Sequence, residues 1–533
     1  MRQQRLIITS WVSFWLILFG ALSLPQSTQA GGPLIVTKRA TPYAWDTSRP
    51  VPFNPDQGTL GRLSNEQAVA LTGELFQVWQ DVRTASIEFQ RAASLPMDIT
   101  GSNVMPFLNN APPGVNPIIY DTDGSVIDAL IGAGARLLAP GAATPLLGNP
   151  ETGEILQSVA ILNGLFIDGV NELLRNPEIP LSRYRTTFVH EFGHFIGLDH
   201  SALNTREALD NDTTNDTAVP TMFPQLVSDE QATLHLDDIV AVSELYPTPE
   251  YLWSKSTIRG RVLFPDGSGF QGANVVARNI NDPLNTAVSC VSGFLHTGTK
   301  RGPDFGSDDP ALRGYYELNG LPPGTYTIEI SPINPQFRGG SSVGPLSPPA
   351  ALPETQFYVA PAQPASANPS EGARLHVLPS SVTDGVDIAI NARMLSLTRV
   401  QGRPGTIVEV PVLITDASEI SWLAFNVTYD PQTLSVLDSG AVSRGPVVPN
   451  NFTVTALKLS SNQVTVTITP PLTNLRATLN SFSGVLLHIR FRILPQARPG
   501  TISLLEISDV VALKSNGDLM RLLPQAGAVV VIP

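Results

Sequence analysis

The segment His190-Glu191-Phe192-Gly193-His194-Phe195-Ile196-Gly197-Leu198-Asp199-His200 holds residue types at spacings that can do chemistry. His190 and His194 are four apart, so on a helix they share one face, one turn from each other. Two imidazoles placed in this way can grip one Zn2+. Gly197 tolerates a left-handed backbone and lets the chain leave the helix, bringing His200 back as a third ligand. Three protein ligands leave a fourth position for water, the arrangement of a catalytic rather than a structural zinc. Glu191 follows the first ligand without being needed as one, and a carboxylate there can take a proton from that water. Phe188, Val189, Phe192, Phe195, Ile196 and Leu198 would suit an ordinary core helix, but a core helix does not require three histidines and a glycine at these intervals. The chain has 7 histidines, and three of the four in its first half lie in this segment.

The elements that must position these residues follow in the sequence. The segment resembles the zinc helix of the metzincin metallopeptidases, and among them the matrixins. Val219-Pro220-Thr221-Met222-Phe223-Pro224 resembles the Met-turn of that family, in which Met222 would form an apolar floor beneath the histidines. Leu236 to Pro247, with Asp237 and Asp238 at its start, resembles the closing helix of matrixin domains. Tyr43-Ala44-Trp45-Asp46 and Val51-Pro52-Phe53 resemble their first strand. The resemblance implies an α+β catalytic domain with one catalytic Zn2+ on His190, His194 and His200, Glu191 as general base, and Gly197 and Met222 as structural support. It places Pro224 and Leu226 at a pocket wall, Leu226 standing where many matrixins carry a tyrosine. No cysteine precedes this region, so latency through a thiolate is not expected. No histidine precedes His190, so the family's second, structural zinc is not expected either.

Asp121-Thr122-Asp123-Gly124-Ser125-Val126-Ile127-Asp128 reads either as a partial calcium loop, with Asp121, Asp123 and Asp128 offering oxygen ligands to Ca2+, or as a solvated Asp-Gly turn. A formal charge of −13 argues against nucleic acid or anionic lipid as a partner. Met1–Ala30 reads as a secretory signal: Arg2 and Arg5 lead an apolar run from Leu6 to Leu24, and Thr28-Gln29-Ala30 supplies small residues for cleavage. An uncleaved N-terminal anchor is the alternative. The expected product is a secreted monomer without a stable membrane span. Cys290 is the single cysteine, which excludes an intramolecular disulfide.

The 47 prolines and 42 glycines point to many turns and β-rich modules. The expected architecture is multidomain, an α+β metzincin-like domain at 32–249 followed by two all-β sandwiches. Ser64 to Val82 carries apolar residues at helical period behind a Ser64/Gln67 capping box. Alternating strands bounded by turn residues place a second domain at 254–393. It resembles the carboxypeptidase regulatory-like, transthyretin-like sandwich, with a Pro-rich excursion at 339–381. Residues 395–533 resemble a cohesin-like or carbohydrate-module-like sandwich. The functional expectation is a secreted zinc metalloendopeptidase acting on extracellular protein or peptide substrates, the last sandwich tethering it to polysaccharide or glycoprotein. The alternative is a non-catalytic adhesion or scaffold protein using its sandwiches to bind carbohydrate or partner modules. If the modules are separable, a chain ending near residue 250 should still cleave a small peptide.

Overall fold

The computed structural model describes residues 32–171, 178–296, 306–333, 352, 354–438 and 440–533. The signal sequence expected at 1–30 and the first third or so of the excursion expected at 339–381 lie outside these. Within that excursion, Gln356–Phe357 and Leu375–Val377 are short strands that join the neighbouring sheet. No helix among the described residues is long and apolar enough to cross a membrane.

The chain forms two compact units, one of residues 1–345 with 355–389, the other of 346–354 with 390–533. The first unit begins with β1 (Val51–Pro55), α1 (Asn65–Gln80), β2 (Phe89–Arg91) and β3 (Pro117–Asp121). Then come α2 (Ser125–Ile131), β4 (Gly141–Gly148), β5 (Ile155–Asn163), α3 (Leu181–Phe195) and α4 (Leu236–Leu245). The five strands lie in the order β2-β1-β3-β5-β4. All neighbours are parallel except β4, which runs antiparallel to β5 along one edge.

Ser64 caps α1 through the reciprocal box with Gln67, which satisfies two of the helix's unpaired N–H groups. Its buried face, Val69, Leu71, Leu75, Phe76 and Trp79, packs on the sheet and on α3. Phe76 stacks on Phe192 of α3 with ring centroids 3.7 Å apart, and Trp79 Nε1 donates to Val189 O at 2.8 Å. The helix that bears the histidines is thus fastened to the core by the turns between them. Its last carbonyls are satisfied as well: Ser158 Oγ donates to Phe195 O, and Tyr246 Oη to Ile196 O.

The same unit continues into two further sheets, built around β6 (Thr257–Leu263), β7 (Ala273–Asn279), β8 (Asp282–Val291), β9 (Tyr315–Leu318) and β10 (Gly324–Pro332). β10, β7 and β8 are consecutive neighbours in one sheet, and β6 pairs with β9 in the other. This sandwich is not independent of the helical part. Leu203 is buried against Val276 and Ala287. Asn319 Nδ2 donates to Glu244 Oε2 of α4 at 2.9 Å.

The second unit is a β-sandwich. Ile407–Ile414 and Gly484–Ile493 pair antiparallel in a six-stranded sheet, and Ile420–Thr428 lies between Gln463–Thr469 and Ile502–Lys514 in a seven-stranded one. Ile420–Thr428 alternates buried and partly exposed residues along most of its length, as a strand with one core-facing side must. Val410, Val412, Leu423, Phe425, Val466 and Ile489 form part of the core between the sheets.

Candidate metal centre

α3 carries His190 and His194 one turn apart, as their spacing requires. The helix stops at Phe195, and Gly197 takes φ +92°, the left-handed conformation that turns the chain back. A Cβ at Gly197 would also meet Tyr43 O at 3.1 Å. The returning segment delivers His200. The three Nε2 atoms converge, His190 and His194 lying 3.1 Å apart, His190 and His200 3.1 Å, and His194 and His200 3.0 Å. This is the only group of three or more His, Cys, Asp or Glu ligand atoms close enough to share an ion among the described residues.

The outer nitrogens explain why the inner ones can bind a cation. His190 Nδ1 lies 2.8 Å from Thr221 O, and His194 Nδ1 lies 2.8 Å from Leu198 O. A carbonyl can only accept, so each Nδ1 carries the proton and each Nε2 presents a lone pair. Two lone pairs 3.1 Å apart, with a third nitrogen equally close, repel one another unless a cation lies between them. Ligand nitrogens about 2.0–2.1 Å from a tetrahedral zinc are separated by about 3.4 Å, so the cluster fits that ion with small adjustment. Burial holds the imidazoles well below their ordinary pKa, His190 at about 4 and His194 at about 3, the latter also through its neighbour His190. His200 is lowered in the same way. The rings are therefore neutral and ready to ligate at physiological pH. His194 is buried, whereas His190 and His200 remain partly exposed, which leaves the cluster open to solvent on one side.

Glu191 is 7% exposed. Burial raises its carboxyl to about 8, against the opposing pull of a hydrogen bond from the Ala143 N–H of β4. A cation held by the neighbouring histidines would draw it down again. Gly141 makes room for this carboxylate, because a Cβ there would stand 2.8 Å from Glu191 Cγ and 3.0 Å from Oε1.

Met222 is fully buried beneath α3. A Cβ on Gly193 would lie 2.2 Å from Met222 Sδ, so the glycine between the two helical histidines is what admits the methionine. Asp238 pins this turn by accepting from the N–H groups of Thr221, Met222 and His235, each at 2.9 Å. The Thr221 carbonyl that orients His190 is therefore itself held by a buried carboxylate. Pro224 and Leu226 lie partly exposed in the loop that follows. Gln231 braces that loop, donating to Pro220 O and Gln225 O and accepting from the N–H groups of Val227 and Ser228. The sequence reading missed Gly141, Gly193 and Gln231. The position of Gly193 between the two helical histidines was the one available signal.

The acidic segment gathers no such group of ligand atoms. Asp121 Oδ2 accepts from Ile127 N at 2.9 Å, and Asp123 Oδ1 from Ser125 N at 3.0 Å. Asp128 accepts from Arg136 N at 2.9 Å and pairs with Arg136 Nε at 3.4 Å. The three carboxylates serve the start of α2 and the turn behind it, and their oxygens do not converge. Gly124, at φ +75°, forms the Asp-Gly turn that one of the two readings expected. An anionic side chain at a helix start satisfies N–H groups that have no helical partner, although Asp121 Oδ1 stays buried without a hydrogen-bond partner.

Residues 394–526 match the cohesin domain family. The match spans about a quarter of the chain and coincides with the second unit's sandwich. Among solved structures, similar chains include the sixth cohesin of scaffoldin B from Acetivibrio cellulolyticus, in complex with a Cel5 dockerin mutant. It is 27% identical, covers 26% of this chain and 99% of its own, and has a TM-score of 0.24. A cohesin from Clostridium acetobutylicum is 23% identical over 27% of this chain and 92% of its own, with a TM-score of 0.23. The non-cellulosomal cohesin of Archaeoglobus fulgidus is 18% identical over 27% and 93%, again with a TM-score of 0.23. No curated protein matches. The cohesin-like character expected for the C-terminal sandwich thus stands. The metzincin resemblance of the N-terminal region rests on its residues and their geometry.

Proposed function

We propose that the chain is a secreted zinc endopeptidase that carries a cohesin module for docking to a protein partner. The observation that supports the peptidase reading is the convergence of three histidine Nε2 atoms, two of them fixed as lone pairs by carbonyls behind them, next to a buried glutamate. His190, His194 and His200 would hold the ion. A bound Zn2+ supplies Lewis acidity, polarising a substrate carbonyl and lowering the pKa of a water. Glu191 takes the proton of the attacking water on its carboxylate and hands it to the leaving amine nitrogen. β4 is the free edge of its sheet, so an extended peptide can add to it as a further strand. The apolar run behind Arg2 and Arg5 supports export.

The family match at 394–526 favours a second reading, a non-catalytic scaffold or adhesion protein that works through its cohesin module. A dockerin domain, the partner named in solved cohesin complexes, is the natural first ligand to try, ahead of polysaccharide or glycoprotein. Both readings are tested on purified full-length chain. Cleavage of a diverse peptide mixture that stops on chelation supports the peptidase. Dockerin capture with no metal-dependent cleavage leaves the scaffold reading alone.

A further inference from the structure

His200 differs from its two partners because no helix holds it. It depends on the segment that follows, and that segment is gripped by the sandwich. Ser201 N donates to Met222 O at 2.8 Å, and Ser201 Oγ donates to Asp237 Oδ2 at 2.5 Å. Asp237 stands in the first turn of α4 and also takes two donors from β8: Ser289 N at 2.6 Å, and Ser289 Oγ at 3.2 Å from Oδ1 and 3.1 Å from Oδ2. Ser201, Asp237 and Ser289 are each at most 4% exposed. Ala202, Leu203 and Asn204 are held from the same side. Asn274 Nδ2 donates to Ala202 O at 3.1 Å, Arg278 Nη1 donates to Asn204 Oδ1 at 2.8 Å, and Leu203 packs on Val276 and Ala287. Four consecutive residues after a metal ligand are thus fixed, wholly or in part, by β7 and β8.

We propose that the sandwich built on β6 to β10 is a structural part of the metal centre, with Ser289 acting through Asp237 and Ser201 as positioning residues for His200. The inference rests on the zinc reading of the three histidines. A buried carboxylate keeps its place only while its donors are present, and here the donors come from both sides of the junction. If Ser289 is lost, Asp237 relaxes, the Ser201 hydroxyl loses its fixed acceptor, and the imidazole one residue earlier loses its orientation. On this proposal the modules are not separable, and a chain ending near residue 250 would lose the support of His200.

The test uses full-length protein and reads zinc affinity by competition with a chromogenic chelator, alongside the visible spectrum of the Co2+-loaded chain. Removing an outer partner of a metal ligand typically weakens binding about 10–100-fold, and that loss is expected for Asp237→Ala and Ser201→Ala. Ser289→Ala keeps its backbone N–H, so a smaller loss in the same direction is expected, with the Co2+ bands displaced. If Asp237→Ala does not fold, Ser289→Ala carries the test. Asn319→Ala is the control, since it breaks a junction bond to Glu244 that does not touch residues 200–204. It should lower the unfolding temperature and leave zinc affinity and the Co2+ spectrum unchanged. If Ser289→Ala and Asp237→Ala behave like Asn319→Ala, the relay is only junction packing and the proposal is overturned. A wild-type chain that binds no zinc overturns the zinc reading itself, a separate and distinguishable failure.

Discussion

The histidine cluster and the acidic turn Asp121–Asp128 occur in the same compact unit, and each has the composition of a metal site. One brings three ligand atoms within 3.1 Å of one another, and the other turns one oxygen of each carboxylate to a backbone N–H, with Arg136 beside Asp128, and gathers no ligand set. The difference lies in what fixes the side chains. A helix sets the direction of residues four apart before any tertiary contact forms, and a glycine exit narrows where the next residue can return. Carboxylates around a turn have no such constraint, and the unpaired N–H groups of a following helix compete for them.

The largest effect that could break this contrast is catalytic. Glu191→Gln should lower peptide hydrolysis about 10²–10⁴-fold while zinc content by metal analysis stays the same. Undiminished cleavage by that variant would remove the glutamate from the proposed mechanism. Removing the ion comes next. Stripping zinc forfeits about 4 kcal/mol of stability where free zinc stands at about 1,000 times its Kd, a loss visible as a drop in unfolding temperature. Added Ca2+ should leave that temperature where it was, because the acidic turn gathers no ligand set. A calcium-dependent rise would show that the contrast was drawn wrongly.

Acid should act on the histidine cluster in one direction. Zinc needs the unprotonated Nε2, and burial depresses His190 to about 4 and His194 to about 3. Affinity should therefore hold from neutral pH to about 5 and decline as the pH approaches 4, where protons begin to compete. Release near the ordinary histidine pKa of about 6.5 would mean that the rings are more solvated than their surroundings indicate.

Much of the cluster was legible in the sequence because helical period and a glycine stop are local properties. His190, His194, Gly197 and His200 needed only that arithmetic. The helix behind the Ser64/Gln67 capping box could be read from its apolar period, and it forms at Asn65–Gln80 with that box in place. What could not be read is tertiary. Asp237 and Ser289 are 52 positions apart and meet only because the sandwich folds back onto α4. Gly141 matters through Glu191, which approaches it from another element. The contact between the first two modules could not be read for the same reason, since a strand pattern does not reveal what its outer face will touch.

Gly193 offers a smaller test of how finely the floor of the histidine cluster is fitted. A methyl group at this position would overlap the Met222 side chain at Sδ and approach Trp79 Cζ2 at 3.0 Å. Gly193→Ala should cost about 1–3 kcal/mol, the usual penalty for overpacking, partly offset by alanine's better helix propensity. Zinc binding should weaken with it, because the displaced methionine shares its turn with the Thr221 carbonyl behind His190.

The smallest expected effect belongs to the acidic turn. Asp123 is exposed, and its one recorded bond, to Ser125 N, can be accepted equally well by an asparagine carbonyl. Asp123→Asn should therefore change stability by less than about 0.5 kcal/mol, with or without Ca2+ in the buffer. The same exchange would be costly in a working calcium site, where one anionic ligand fewer weakens the ion's hold. Equal unfolding curves for Asp123→Asn and the wild type in both buffers would assign the segment to helix initiation. A gap that opens only with Ca2+ would restore it as a cation site.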